Sequence, residues 1–170
     1  MAESAIPERF KIRNPSSRFT RYIINSKASS GNDFSILLDE LNAHVGAGRM
    51  EIDFAQTDLY AKLRKSVTLL DGNIAGTADL MMYVVAYLKA ARESDRAGHE
   101  KISKSPLLLT HLQRVWSEAE RVVAAADEFS VRAGGFYHVP EDVLAFVSSA
   151  DSLAELDRIG IEHPLKYSSK

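Results

Sequence analysis

The chain predicts an all-α fold, a compact bundle of five to six helices preceded by a basic N-terminal arm. Two observations carry this. Apolar residues recur three and four apart through most of the chain, the spacing that puts them on one face of a helix. Each such run is bracketed by a capping residue before it and glycine or proline after it. Alternation at period two, the mark of a strand, is nearly absent. With 170 residues, 45% apolar and 26% charged, the chain fits one domain that needs no covalent staples. The expected plan is an arm over residues 1–30, a single helical domain over 31–160 and a loose tail over 161–170.

The elements follow in order. SSGND ends in an N-cap, after which Phe34, Leu37, Leu38, Leu41 and Val45 form a helical face. Gly46-Ala47-Gly48 reads as its stop. Asp53 with Gln56 reads as a capping box for a second helix carrying Leu59, Leu63, Val67 and Leu70. Thr77 reads as the cap of a third helix, apolar on almost every side up to Lys89 and therefore central. Residues 93–104 are charged, contain Gly98 and read as an exposed loop.

Ser105-Pro106 is a strong start for a long helix to about residue 133. Its stripe is Leu108, Leu112, Val115, Ala119, Val122, Ala126, Phe129 and Ala133, widened by Leu109, Trp116 and Val123. Three apolar positions per heptad suit a helix packed inside a bundle, with a dimer seam as the alternative. Gly134-Gly135 ends it, Pro140 opens a short helix, and Ser152 with Glu155 reads as a capping box for the last one, which carries Leu153, Leu156 and Ile159. RYIINS fits a short helix better than a strand.

The totals limit function. Absence of cysteine excludes disulfides, thiolate metal sites and a thiol nucleophile. MAESAIPERFK has no apolar core, so no secretory signal is expected. The longest apolar run, LMMYVVAYL over residues 80–88, is shorter than the roughly 20 residues a membrane span needs. A soluble, cytoplasmic protein is the expectation.

The net charge of −2 hides an asymmetry. Residues 1–30 hold six Lys/Arg against two Asp/Glu, net +4, and residues 31–170 hold fifteen against twenty-one, net −6. The body alone would repel phosphate. The arm's Arg9, Lys11, Arg13, Arg18, Arg21 and Lys27 are interleaved with Phe10, Phe19 and Tyr22, a mix able to combine phosphate contacts with base stacking. The opposite charges of arm and body also favour docking, in cis or onto a neighbouring copy. Phe19 and Ile23 would then meet the body while Arg18, Arg21 and Asn25 face water.

Catalytic motifs are missing. His44, His99, His111, His138 and His163 lack the three- or four-residue spacing of a helical metal pair. His44, His111 and His138 are the first ligands to test should a metal be found. There is no Gly-x-Ser-x-Gly and no phosphate-cradling Gly-x-x-x-x-Gly-Lys-Ser/Thr. Carboxylates such as Glu118/Glu120 or Asp127/Glu128 point apart on a helix. No helix offers the Arg, Asn or Gln face of a base reader: the one after Gly72 presents Leu, Met, Val and Tyr.

The expectation is a non-catalytic helical interaction protein, a subunit, adaptor or regulator acting by binding a macromolecular partner. No metal, cofactor or essential histidine is expected. The expected contacts are Arg18, Arg21 and Tyr22 on the arm and Tyr137 in GGFYHVP, where Phe136 folds back on the helix end and Tyr137 reaches outward. The alternatives are an accessory nucleic-acid-binding protein using residues 9–27, and an enzyme whose site is assembled from scattered residues.

Overall fold

A computed structural model describes residues 2–25, 34–63, 72–132 and 139–163. Among these, every regular element is helical: α1 (Ala2–Ala5), a 3-10 turn (Glu8–Phe10), a π turn (Thr20–Ile24), α2 (Phe34–Ala55), α3 (Asp58–Leu63), α4 (Gly72–Ser94), α5 (Arg96–Ser103), α6 (Pro106–Arg132), α7 (Glu141–Val147) and α8 (Ala150–Arg158). The all-α reading stands. The expected five to six helices are too few, because two short helices, α1 and α5, form in segments read as arm and loop.

α4 is the centre of the bundle and packs against α1, α2, α5, α6, α7 and α8. That position follows from its composition. From Ile74 to Ala91 it buries residues on every side, including Leu80, Met81, Met82, Val84, Val85 and Leu88. By length and hydropathy α4 would be able to cross a membrane, but 83% of its most apolar window is covered by the rest of this fold. It begins at Gly72, five residues before the expected Thr77 cap. Thr77 is fully buried, and its hydroxyl donates to the Asn73 carbonyl at 2.9 Å.

α2 does not stop at Gly46-Ala47-Gly48. It runs unbroken to Ala55, burying Phe34, Leu37, Leu38, Leu41, Val45, Gly48 and Ile52 along one face. Gly48 is a contact residue: a Cβ there would stand 3.0 Å from Val122 Cγ1 of α6 and 3.5 Å from Ile74 Cγ1 of α4. The residue read as a breaker lets three helices close together. The next helix, α3, is capped by Thr57, whose Oγ1 accepts from Tyr60 N at 3.2 Å, not by Asp53. Leu59, read as core, is 54% exposed, and Val67 and Leu70 lie outside the described residues.

Residues 93–104 are not a loop. Asp95 caps α5 by accepting from Gly98 N at 3.0 Å, Glu100 pairs with Arg96 and Lys104 one turn away on either side, and Ile102 is buried. Most of the α6 reading holds: Ser105 Oγ caps it, Leu112, Val115, Trp116, Ala119, Val122, Val123 and Ala126 are buried, and Leu108 and Leu109 are partly buried, while Ala133 and the side chain of Phe129 lie outside what the structure describes. At the C-terminal end the cap of α8 is Ser149, which accepts from Ser152 N, so the Ser152–Glu155 box does not form. Glu155 is committed elsewhere: it is buried and takes a two-pronged contact from Arg92 of α4 and another from Arg158. Gly160, φ 75°, follows the C-cap of α8 at Ile159. The first tail residues are anchored, with Ile161 buried and the Glu162 backbone paired with both ends of the Gln113 amide.

The N-terminal segment is no free arm. Ile6, Phe10, Phe19 and Ile23 are all buried in the main core. The docking of Phe19 and Ile23 is as expected, and the π turn carries Ile23 inward while Arg21 stays outside.

Candidate partner-binding cleft

Where the N-terminal segment crosses α4 and α7, a cleft of about 720 Å³ remains open. The segment supplies one wall, with Arg9, Ile12, Arg18, Arg21 and Tyr22. α2 supplies His44, α4 supplies Asn73, Asp79 and Tyr83, and α7 supplies Asp142.

At its base Arg18 forms an ion pair with Asp79, N to O 2.8 Å, and donates a second hydrogen bond to the Gly72 carbonyl. Side-chain exposures of 28% for Arg18 and 19% for Asp79 make this a half-buried pair. The expectation that Arg18 faces water is therefore wrong; the lone carboxylate on an otherwise apolar stretch of α4 draws it inward. Burial pushes the Asp79 carboxyl up from the usual aspartate range and Asp142 adds to this, while the Arg18 guanidinium pulls the other way. Tyr83 is buried one turn along α4, and burial, followed by the charge of Asp79, pushes its hydroxyl well above the usual tyrosine value.

His44 lies over Gly76. A Cβ at Gly76 would stand 2.9 Å from both His44 Nε2 and Arg18 Nε, so only glycine leaves room for the two side chains. His44 Nδ1 lies 3.0 Å from the Glu40 carbonyl, to which it donates in the neutral ring. Tyr22 meets the ring edge-on, centroids 5.7 Å apart. Burial lowers the His44 pKa first, with the charges of Arg18 and Arg21 adding to it against the Glu40 contact.

The other sequence-derived residues divide clearly. Lys11 pairs with Glu8 at 2.9 Å, and Arg13 with Glu3. Arg9 is exposed with its guanidinium 4.6 Å over the Phe10 ring, and Arg21 is exposed at the cleft. Lys27, His138 and Tyr137 lie outside the described residues. His111 is beside Arg114, and His163 bonds Asp157 of α8. His44 and His111 share no metal-binding cluster among the described residues.

Sequence reasoning missed Asp79, Tyr83 and the place of His44. The signal for Asp79 was present: it is the one ionisable acid in residues 74–88 of a helix apolar all round, where a charge must find a partner. Nothing in the spacing of residue 44 pointed to residues 18 and 76. No family model matches the chain, and no curated protein or solved structure shows significant similarity to it.

Proposed function

We propose that the chain is a non-catalytic helical interaction protein, a subunit, adaptor or regulator that works in the cytoplasm by binding a protein partner. One observation carries this reading. The basic segment is folded onto the bundle by four buried apolar side chains, and three of its cations, Lys11, Arg13 and Arg18, are matched by Glu8, Glu3 and Asp79 of the same chain. A phosphate backbone would have to compete with each pair, beside the very carboxylates that repel it. The nucleic-acid reading therefore ranks second.

What the segment leaves at the rim of the cleft is exposed Arg9, Ile12 and Arg21 and half-buried Tyr22. Arginine and tyrosine beside an exposed aliphatic residue are the composition of a protein contact: rigid or forked side chains with large area and directed hydrogen bonds. Arg21 and Tyr22 are the residues that meet the partner. Arg18 supports the rim from beneath.

The test is affinity capture from the native host with the full-length chain, wild type against an Arg21→Ala/Tyr22→Ala variant. Arg21 lies at the surface, whereas Tyr22 is half-buried against His44, so the double variant should melt several degrees lower yet remain folded at the temperature of capture. Recovery of the specific partner should drop at least about tenfold, the loss of one hot-spot contact. Undiminished recovery would overturn the assignment of the rim. Salt-sensitive binding of a labelled oligonucleotide by the wild type at low ionic strength would restore the nucleic-acid reading.

A further inference from the structure

Three positions of α4 share one face: Gly72, Gly76 and Asp79, spaced i, i+4, i+7. Each contributes something different to the Arg18 contact. The Gly72 carbonyl accepts from one terminal nitrogen and the Asp79 carboxylate from the other, at 2.8 Å. Gly76 between them presents bare backbone to two side chains: a Cβ there would strike His44 Cδ2 and stand 2.9 Å from Arg18 Nε. The result is a slot with a flat floor and an acceptor at each end.

That shape selects among cations. A guanidinium is planar and carries fixed donors on separate edges, so one group reaches both acceptors while its plane passes over the glycine. An ammonium is a compact point charge and reaches one acceptor at a time. We propose that α4 carries a guanidinium-recognition slot, formed by the Gly72 carbonyl, the Gly76 backbone and the Asp79 carboxylate, which Arg18 fills in cis and which accepts an arginine from the partner's docking segment in its place.

The slot deepens the binding function proposed above and rests on it for the identity of the ligand as a protein side chain. Exchange is geometrically open, because Arg18 and Asp79 stay 28% and 19% exposed and both line the cleft. Charge complementarity agrees: the body, residues 31–170, carries net −6, and the occupant it holds here comes from a segment of net +4. Asp79 lies on the apolar central helix, where a vacated slot would leave a carboxylate without its counter-ion, so a replacement cation is favoured over an empty slot.

The experiment uses the full-length Arg18→Ala variant. Its melting midpoint should fall below wild type, and guanidinium chloride at about 20 mM should raise it by roughly 3 °C over the same concentration of sodium chloride. Methylammonium chloride should not do so, and neither salt should raise the wild type. Adding Asp79→Asn should abolish the rescue. Acetyl-arginine methylamide, standing in for a partner's arginine, should bind the Arg18→Ala chain at least about tenfold tighter than the uncharged acetyl-citrulline methylamide.

Equal effects of guanidinium and methylammonium, or equal binding of the two amides, would overturn the slot. Should Arg18→Ala fail to fold, Arg18→Lys keeps the charge without the fork. It should melt below wild type and respond to guanidinium, and melting like wild type would equally overturn the proposal. None of these readouts involves Arg21 or Tyr22. Rescue with undiminished partner capture by the rim variant would thus leave the slot standing and the proposed docking rim fallen.

Discussion

His44 shows how one side chain ties the N-terminal segment to the bundle. It bonds its own helix through the Glu40 carbonyl, meets Tyr22 edge-on and lies over Gly76 beside Arg18. Protonation would add a charge that faces Arg18 and Arg21 across the contact, with Glu40 on its own helix and Asp79 on α4 as the opposing groups. Burial and the two arginines win, and the folded pKa lies below 6.5. The sign follows: the unfolded chain takes up the proton first, so stability from His44 is complete above about pH 6.5 and is lost as the pH falls through the folded value. The melting midpoint should therefore drop between pH 7.5 and 5. His44→Asn keeps a donor for the Glu40 carbonyl but does not titrate, and it should reduce that drop by about 2–4 °C. An identical drop in both proteins would remove His44 as the cause. None of this was legible in the sequence, because residues 18, 44 and 76 are joined only by tertiary packing.

At the level of elements, spacing identified which residues are buried better than where helices end. The Leu112–Ala126 stripe and the all-apolar α4 are both as read. The boundary errors share one physical cause. Glycine, serine and threonine are weak helix formers in isolation, yet Gly48, Gly76 and Thr77 lie inside helices because packing against neighbours outweighs propensity. The Ser152–Glu155 box failed in the same way, since a carboxylate that can reach Arg92 and Arg158 does not turn back to a backbone amide. Glu155 is thus a clamp between α4 and α8. Burial alone would raise its pKa, but the hydrogen bonds and charges of Arg92 and then Arg158 outweigh that and hold it below 4.5. Its stabilisation is present above pH 4.5 and is lost as the pH falls through the folded value. Glu155→Gln should lower stability by about 2 kcal/mol at pH 7, the range for charge-assisted hydrogen bonds, and by much less at pH 3. Denaturant melts of the two proteins at both pH values check this, and a loss independent of pH would mean the clamp is packing rather than charge.

For the whole molecule, the decisive question is whether the first 25 residues belong to the fold. Their net positive charge was legible as an attraction to the acidic body. What was not legible is how much of the core they complete: Ile6 and Phe10 read as parts of an arm, yet they are buried with Phe19 and Ile23 in the same cluster as α4. Burying a side chain of this size contributes about 1.5–3 kcal/mol, opposed by the entropy of ordering the backbone that carries it. Set against that cost, four anchors leave a modest net gain for the segment itself. For the bundle the consequence is larger, since removal uncovers apolar surface of α4 that no other element covers. Deleting residues 1–25 should therefore lower the melting midpoint by at least about 5 °C, more than a single surface substitution does, and produce binding of a hydrophobic dye such as ANS at temperatures where the full chain binds none. A free arm would be removed without change in either quantity. Phe19→Ala in the full-length chain separates the two contributions. It empties one fully buried site at a cost of about 3–5 kcal/mol if the segment stays docked. If the segment instead releases, Phe19→Ala should reproduce the dye binding of the deletion, and hydrogen exchange along α4 from Gly72 to Asp79 should rise in both proteins. Unchanged melting of the deletion variant, with α4 still protected, would mean that the bundle is complete without its N-terminal segment and that the cleft wall is an appendage.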